Sequence, residues 1–389
     1  MYKKKTLIYK IVLIVFACLV FVFPARDNAS IDDKALVSVM ALDAKGEELI
    51  MTIELIVATQ KKEGGAELLT INSTGADCPE ALANLAKMSG TEMELSHCGV
   101  MIIGEQLSKK GFSEHLDYLL SAGYISPQIT LLTCDGEATE FMEKLNEFSM
   151  VNGSGLNDVI NFSDKSAFVK VTSALNFLSE TNLPSSSCTV PIVAFDGKAF
   201  GGISGNGDGG GNSKAPMLAP IERAALFKNG VRVGKLSEEA TKGITVFDKK
   251  SDSGFFEISD IVLDEEKIDS VPTEIRNKSF SLKADLGDAP TVTIEVGFVL
   301  ETQTRAAVAR ADKDINDAKI KKAMQKRAEE MVKERIERAL TECRSFDCDA
   351  LGLQNAFYKQ SGKQYKFYGN KEDLLHNVQI KYKINTKIV

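Results

Sequence analysis

Tryptophan is absent from this chain of 389 residues, and histidine occurs only three times. Without Trp, one common anchor for sugar stacking and for membrane-interface belts is missing, which weighs against a carbohydrate-active enzyme. His97, His115 and His376 form no HExxH motif, and the seven cysteines include no CxxC spacing, so a zinc site has no support. GxSxG and P-loop signatures are missing as well. Positive charge is in deficit: a net charge of -7 argues against a nucleic-acid partner, because phosphate contacts need a basic face.

What remains offers little chemistry. His97 is the obvious candidate base, with Cys98 beside it. Neighbours in a strand point to opposite faces, so the two cannot act as a nucleophile–base pair, and His97 reads as a hydrogen-bonded residue at a strand start. Glu54, Glu67, Glu92 and Glu94 are scattered without the spacing of paired carboxylates. Gly205-Asn206-Gly207-Asp208-Gly209-Gly210 matches GxGxxG in form, but Pro216 and Pro220 follow it where a dinucleotide site needs a helix. It reads as a flexible loop. No cofactor, metal or active site is implied, and the expectation is a protein that is not an enzyme.

An apolar content of 44% and a charged content of 26% are ordinary for a globular protein, and the length allows two or three domains. The first 25 residues stand apart. Lys3, Lys4, Lys5 and Lys10 precede an uninterrupted apolar run over residues 11–23, the layout of a secretory signal that leaves the rest of the chain exported. Three fates fit. Cys18 follows Val15-Phe16-Ala17, a degenerate form of the box before a lipidated cysteine. The segment could instead stay uncleaved, since residues 7–23 as a helix span about 25 Å. Cleavage after Ala25 is the third. Of the six exported cysteines, Cys98 and Cys134 fall in core strands, and Cys343 with Cys348, flanking a helix end, is the best-placed disulfide pair.

The periodicities predict an α+β fold, a mixed α/β arrangement of three modules, each a small mixed sheet with packed helices, after the signal or anchor at residues 1–25. Module one, residues 28–183, opens with strands at 36–42 and 48–59 and a helix at 76–89 capped by Asp77. Residues 95–142 then pack strand, helix, strand and helix signals together. The strands are 98–103 and 129–134, one helix covers 105–122, and Asp135 is placed to cap the next. Helices near 156–162 and 166–179 close the module. A Pro/Gly-rich linker covers 184–220, with 197–213 as an exposed loop. A small middle module at 221–254 reads as a hairpin around Lys228-Asn229-Gly230, a helix from Ser237 and a strand at 244–247. The last module, 255–389, has strands at 256–263, 279–286 and 291–300, a long amphipathic helix at 312–343 and a terminal strand at 376–389.

Several short motifs recur in a telling order. Ser96-His97 leads into a strand that ends at Ile103-Gly104-Glu105; Gly111, Leu116-Asp117, Gly136 and Ala138 follow. Ala225-Leu226-Phe227-Lys228, Val233-Gly234-Lys235-Leu236 and Glu239-Ala240-Thr241-Lys242-Gly243 form a second block, and Asp349-Ala350-Leu351-Gly352-Leu353 follows the long helix. This set resembles the Ger(x)C family, the C subunit of bacterial spore germinant receptors. The resemblance implies a non-enzymatic lipoprotein, lipidated at Cys18, that is held by membrane lipid on the extracytoplasmic face of the spore inner membrane. Its implied partners are the polytopic A subunit and the transporter-like B subunit, with a role in assembly and signal relay. Two other classes stay open: an extracytoplasmic solute-binding lipoprotein, with one deep cleft between similar lobes, and a cell-wall hydrolase, with convergent acids in a pocket.

Overall fold

A computed structural model describes residues 34–389, apart from 59–65, 148–152, 197–216, 249–252, 264–265, 269, 288, 303–317, 370 and 372. Among the described residues the chain builds two main sheets, beside two short two-stranded ribbons. The larger runs in the order β8-β7-β6-β5-β4-β1-β2-β3. Its strands are β1 (Lys34–Lys45), β2 (Glu48–Ala58), β3 (Ala66–Gly75), β4 (Val100–Ile103), β5 (Thr130–Cys134), β6 (Ser187–Val193), β7 (Ala224–Lys228) and β8 (Val231–Lys235). The four central strands β1, β4, β5 and β6 are parallel, and antiparallel hairpins extend both edges.

Parallel strands are covered on both faces, so their residues are apolar on both sides. Met40 and Leu42 of β1 with Met101 and Ile103 of β4 face one core, while Val39, Ala41, Val100 and Ile102 face another. Helices α1 (Cys78–Ser89), α2 (Glu105–Lys110), α3 (Ser113–Ser121) and, further on, α6 (Ala174–Thr181) bury residues in the first core. Helices α4 (Ala138–Glu147) and α5 (Gly153–Lys165) bury theirs in the second. A single helix over 105–122 was expected. Gly111, at φ 98°, splits it into α2 and α3. Only Ala174–Thr181 of the expected helix at 166–179 is helical; Ala167 before it has φ 56°, and Ser173 supplies the cap.

The smaller sheet, β9-β10-β11-β12, comprises β9 (Gly254–Ile258), β10 (Val271–Asp285), β11 (Thr291–Thr302) and β12 (Gln379–Ile388). Helix α7 (Glu238–Thr245) precedes it, and α8 (Ala318–Ser345) crosses over from β11 to the parallel β12. Ile320, Met324, Ala328, Val332, Ile336 and Leu340 of α8 are buried against one face of this sheet, and the other face is exposed. Three short helices, α9 (Leu353–Gln360), α10 (Gly362–Phe367) and α11 (Leu374–Asn377), lie between α8 and β12.

Two expectations about the middle of the chain change. The expected linker at 184–220 contains β6, whose seven residues are all buried. Its alternation of Ser, Thr and Pro with apolar residues resembles linker composition, yet the hydroxyls are satisfied internally, for example Ser187 Oγ donating to Ser185 O. The Gly-rich stretch at 197–213 lies outside the described residues. The hairpin β7–β8, in turn, has no sheet of its own. It pairs with β6 and completes the first sheet, while Ala240 and Ile244 of α7 enter the core of the second unit. Residues 244–247, expected as a strand, are the end of α7 and its turn, because Ser237 caps the helix at Ala240 N and Ile244 is drawn onto α8.

Strand β7 is the shared wall. Ala225 and Phe227 face the first core, and Leu226 faces the core of the second unit.

Candidate functional site

His97 lies in an exposed turn at Ser96-His97, not at a strand start, and Cys98 next to it points into the core. Strand β4 begins two residues later, at Val100. The two are separated, but by the turn and not by strand alternation: His97 is exposed and Cys98 is buried. Cys343 and Cys348, the best-placed pair for a disulfide, are free thiols; both are fully buried, and Cys348 Sγ donates to Phe227 O at 3.3 Å. Burial pushes the Cys348 thiol up to about 12 and Cys343 well above its ordinary value. Among the described residues no three His, Cys, Asp or Glu side chains are disposed to hold a metal, and no helix is long and apolar enough to cross a membrane. Cys18 lies outside the described residues.

The first block of motifs converges on one buried carboxylate that the motif pattern did not single out. Asp43, at the end of β1, accepts from Ala138 N, Thr139 N and Thr139 Oγ1, each at 2.8 Å. It thereby caps α4 in place of Asp135. Asp135 instead pairs with Arg232 (2.6 Å) and Lys235 (3.1 Å) on β8. Burial opposes its ionisation, but these hydrogen bonds outweigh it and hold the carboxyl below its ordinary value. Gly104 makes the Asp43 cap possible. A Cβ there would lie 1.7 Å from Asp43 Oδ1, although its φ of -66° would suit any residue.

The second block forms the seam between the units. Helix α7 meets α8 at Gly243, where a Cβ would lie 2.3 Å from Arg335 O. This close approach lets Arg335 Nε reach Glu239 at 2.9 Å while its guanidinium stacks 4.9 Å from the Phe256 ring centroid. Beside it opens a cleft of about 730 Å³. Phe168 comes from the first unit and Phe255, Phe298 and Met331 from the second, so the cleft is partly apolar. Its charges are largely paired. Lys242 binds Glu238 and Glu239, Arg327 binds Glu334 at 3.1 Å, and Lys278 donates to Thr245 O. Burial, then the proximity of Glu238, raises the Glu222 carboxyl. The hydroxyls of Thr245 and Thr273 are spent on backbone carbonyls, Ala167 O and Phe256 O respectively. The cleft can hold and orient a group; it presents no activated hydroxyl.

The third element is the turn after α8. Asp349, fully buried, accepts from Leu353 N (3.0 Å) and Gln354 N (2.7 Å) and so caps α9. Burial drives its carboxyl up to about 7 against the pull of these backbone donors. Asn355, one turn on, is bound to the first unit: Ser185 N donates to its Oδ1, and its Nδ2 donates to Ser185 Oγ. Asp349 thus fixes the start of α9, and Asn355 on that helix docks the two units together. An Asp four residues before a helix is a readable cap signal; Asp43, whose partners lie 95 and 96 residues away, left no such trace.

Comparison with known proteins agrees over most of the chain. The family "Spore germination protein N-terminal domain" matches residues 27–195, and "Spore germination B3/ GerAC like, C-terminal" matches residues 222–389. A solved structure described as "Crystal Structure of the GerBC protein" is similar in fold, with a TM-score of 0.51 and 14% identity, covering 90% of this chain and 96% of that one. No curated protein matches the chain.

Proposed function

The chain belongs to the spore germination GerAC-like family, and from that we propose that it is the non-enzymatic C subunit of a nutrient germinant receptor. In this reading it works by assembly and signal relay beside a polytopic A subunit and a nutrient-sensing B subunit, on the extracytoplasmic face of the spore inner membrane. The observation that carries the reading is the use of the matched motifs: Gly104, Gly243 and Asp349 all serve to lock elements and units together, Gly104 by making room for the Asp43 cap. Residues spent on rigidity suit a part that transmits position between partners.

The anchor belongs to the same proposal. Cys18 is the acyl acceptor we assign, and the basic leader and apolar run carry the chain to the membrane. Mass spectrometry of the mature N-terminus distinguishes a diacylated Cys18 from an intact Met1. Deleting the gene tests the role: germination with one class of nutrient should fail while growth and sporulation proceed. Normal germination with every nutrient tried would overturn it, as would turnover of peptidoglycan by the purified protein.

A further inference from the structure

On α7 and α8 three lysines have partners: Lys242 binds Glu238, Lys326 binds Glu330 and Lys333 binds Glu337. On the exposed sheet face Lys283 and Lys383 share Glu295. The segment from α9 through α10 differs. Among the described residues no carboxylate lies within 4 Å of Lys359, Lys363, Lys366 or Lys371, and the acids nearest in sequence are Glu372 and Asp373. Lys363, Lys366 and Phe367 lie at i, i+3 and i+4 of α10, on one face.

Phe367 is 85% exposed, the most exposed large apolar side chain among the described residues, and Tyr358 close by is 52% exposed. A single exposed aromatic is unremarkable. Here it stands on a fixed platform. Tyr358 packs edge-on against the buried Tyr365 at 5.8 Å, and Lys371 sits over the same ring while donating to Lys366 O. Gln360 ties the end of α9 to β10, accepting from Ala284 N at 2.9 Å and donating to Leu282 O at 2.6 Å. The aromatic tip and its ring of cations are thus held outward by the fold.

We propose that residues 358–367 together with Lys371 form a second membrane contact, in which Phe367 enters the headgroup layer of an anionic bilayer while the four lysines engage lipid phosphates. Charge complementarity selects the occupant. Four lysines with no carboxylate partner among the described residues suit a negative surface, and a protruding Phe suits an interface with an apolar interior. The contact rests on the membrane association proposed above, because the N-terminal run is what brings a bilayer within reach.

The absence of Trp supplies the probe. F367W in the full chain introduces a single indole at the tip, and its side chain is too exposed to be needed for folding. The protein is reconstituted in vesicles of phosphatidylcholine alone or mixed with phosphatidylglycerol, each with brominated acyl chains. With the anionic lipid, emission should shift to the blue and be quenched by bromine; with phosphatidylcholine alone it should stay solvent-like. Adding K359E, K363E and K366E should restore solvent-like emission, with at least roughly a five-fold fall in the docking equilibrium constant per lysine replaced. Solvent-like emission in both lipids, or equal quenching in both, overturns the proposal. So does a blue shift that needs no lipid and grows with protein concentration, which would mean a second copy covers the tip. Failure of the full chain to float with the vesicles breaks the anchor; flotation with an unshifted reporter breaks this contact alone.

Discussion

Replacing Gly104 with Ala adds one methyl group at a position whose backbone angles already suit Ala, so any loss of stability must come from what the methyl meets. It meets the Asp43 carboxylate, at 1.7 Å from Oδ1 and 2.9 Å from Cγ. The carboxylate must turn away and give up Ala138 N, Thr139 N and Thr139 Oγ1. Loss of a helix cap costs about 1–2 kcal/mol. A charge left buried without its donors adds about as much again, so G104A should lose roughly 2–4 kcal/mol. That is a large share of the about 5–15 kcal/mol that holds a typical domain together. D43A removes the cap but leaves space, at about 2–3 kcal/mol. In the double variant the new methyl occupies the space that Asp43 vacated, so the combined loss should be close to that of D43A alone. Denaturant unfolding of the four proteins, compared at constant slope, measures the coupling. Additive losses would show that Gly104 acts through something other than Asp43.

Asp349 has a folded pKa raised to about 7 from 3.8, so the folded state holds a proton that the unfolded chain releases. Its contribution is fully present below pH 3.8 and is lost as pH rises through 7; over roughly three pH units this approaches 4 kcal/mol at most. D349N should therefore gain on the wild type between about pH 4 and pH 7 in thermal unfolding and level off above, and a constant difference across that range would contradict the raised pKa. G243A should lose about 1–3 kcal/mol because its methyl strikes the Arg335 carbonyl, and A339G should not rescue it, since the obstacle is backbone. Native protein at neutral pH should resist a chromogenic disulfide reagent at Cys98, Cys188, Cys343 and Cys348, whose thiols burial pushes up, and should react fully once unfolded; rapid labelling of the native state would refute that packing.

The strands that alternate or run apolar were legible, and so was the long helix, because one face of each repeats at a period the eye can count. Strand β3, with the polar sequence of Asn72, Ser73 and Thr74, was not visible; it is held by pairing to β2 and by α1 across it. Strand β6 was lost for a similar reason, its Ser, Thr and Pro suggesting a linker. The motif residues were found without their purpose. Gly104 and Gly243 were noted in blocks, but the contact each one allows is with a residue 61 and 92 positions away, and no local pattern reports that.

The two family regions meet between residues 195 and 222, yet β7 and β8 lie beyond that boundary and complete the sheet of the first region. A chain divided there would leave β6, buried on every residue, as a bare edge on the first fragment. The second fragment would carry the hairpin that fits it, with Leu226 already seated in its own core. Neither half is a self-sufficient domain, but each presents the other's missing strand. The molecule has the design of a split protein: two pieces made separately would find one another by strand exchange at a single seam.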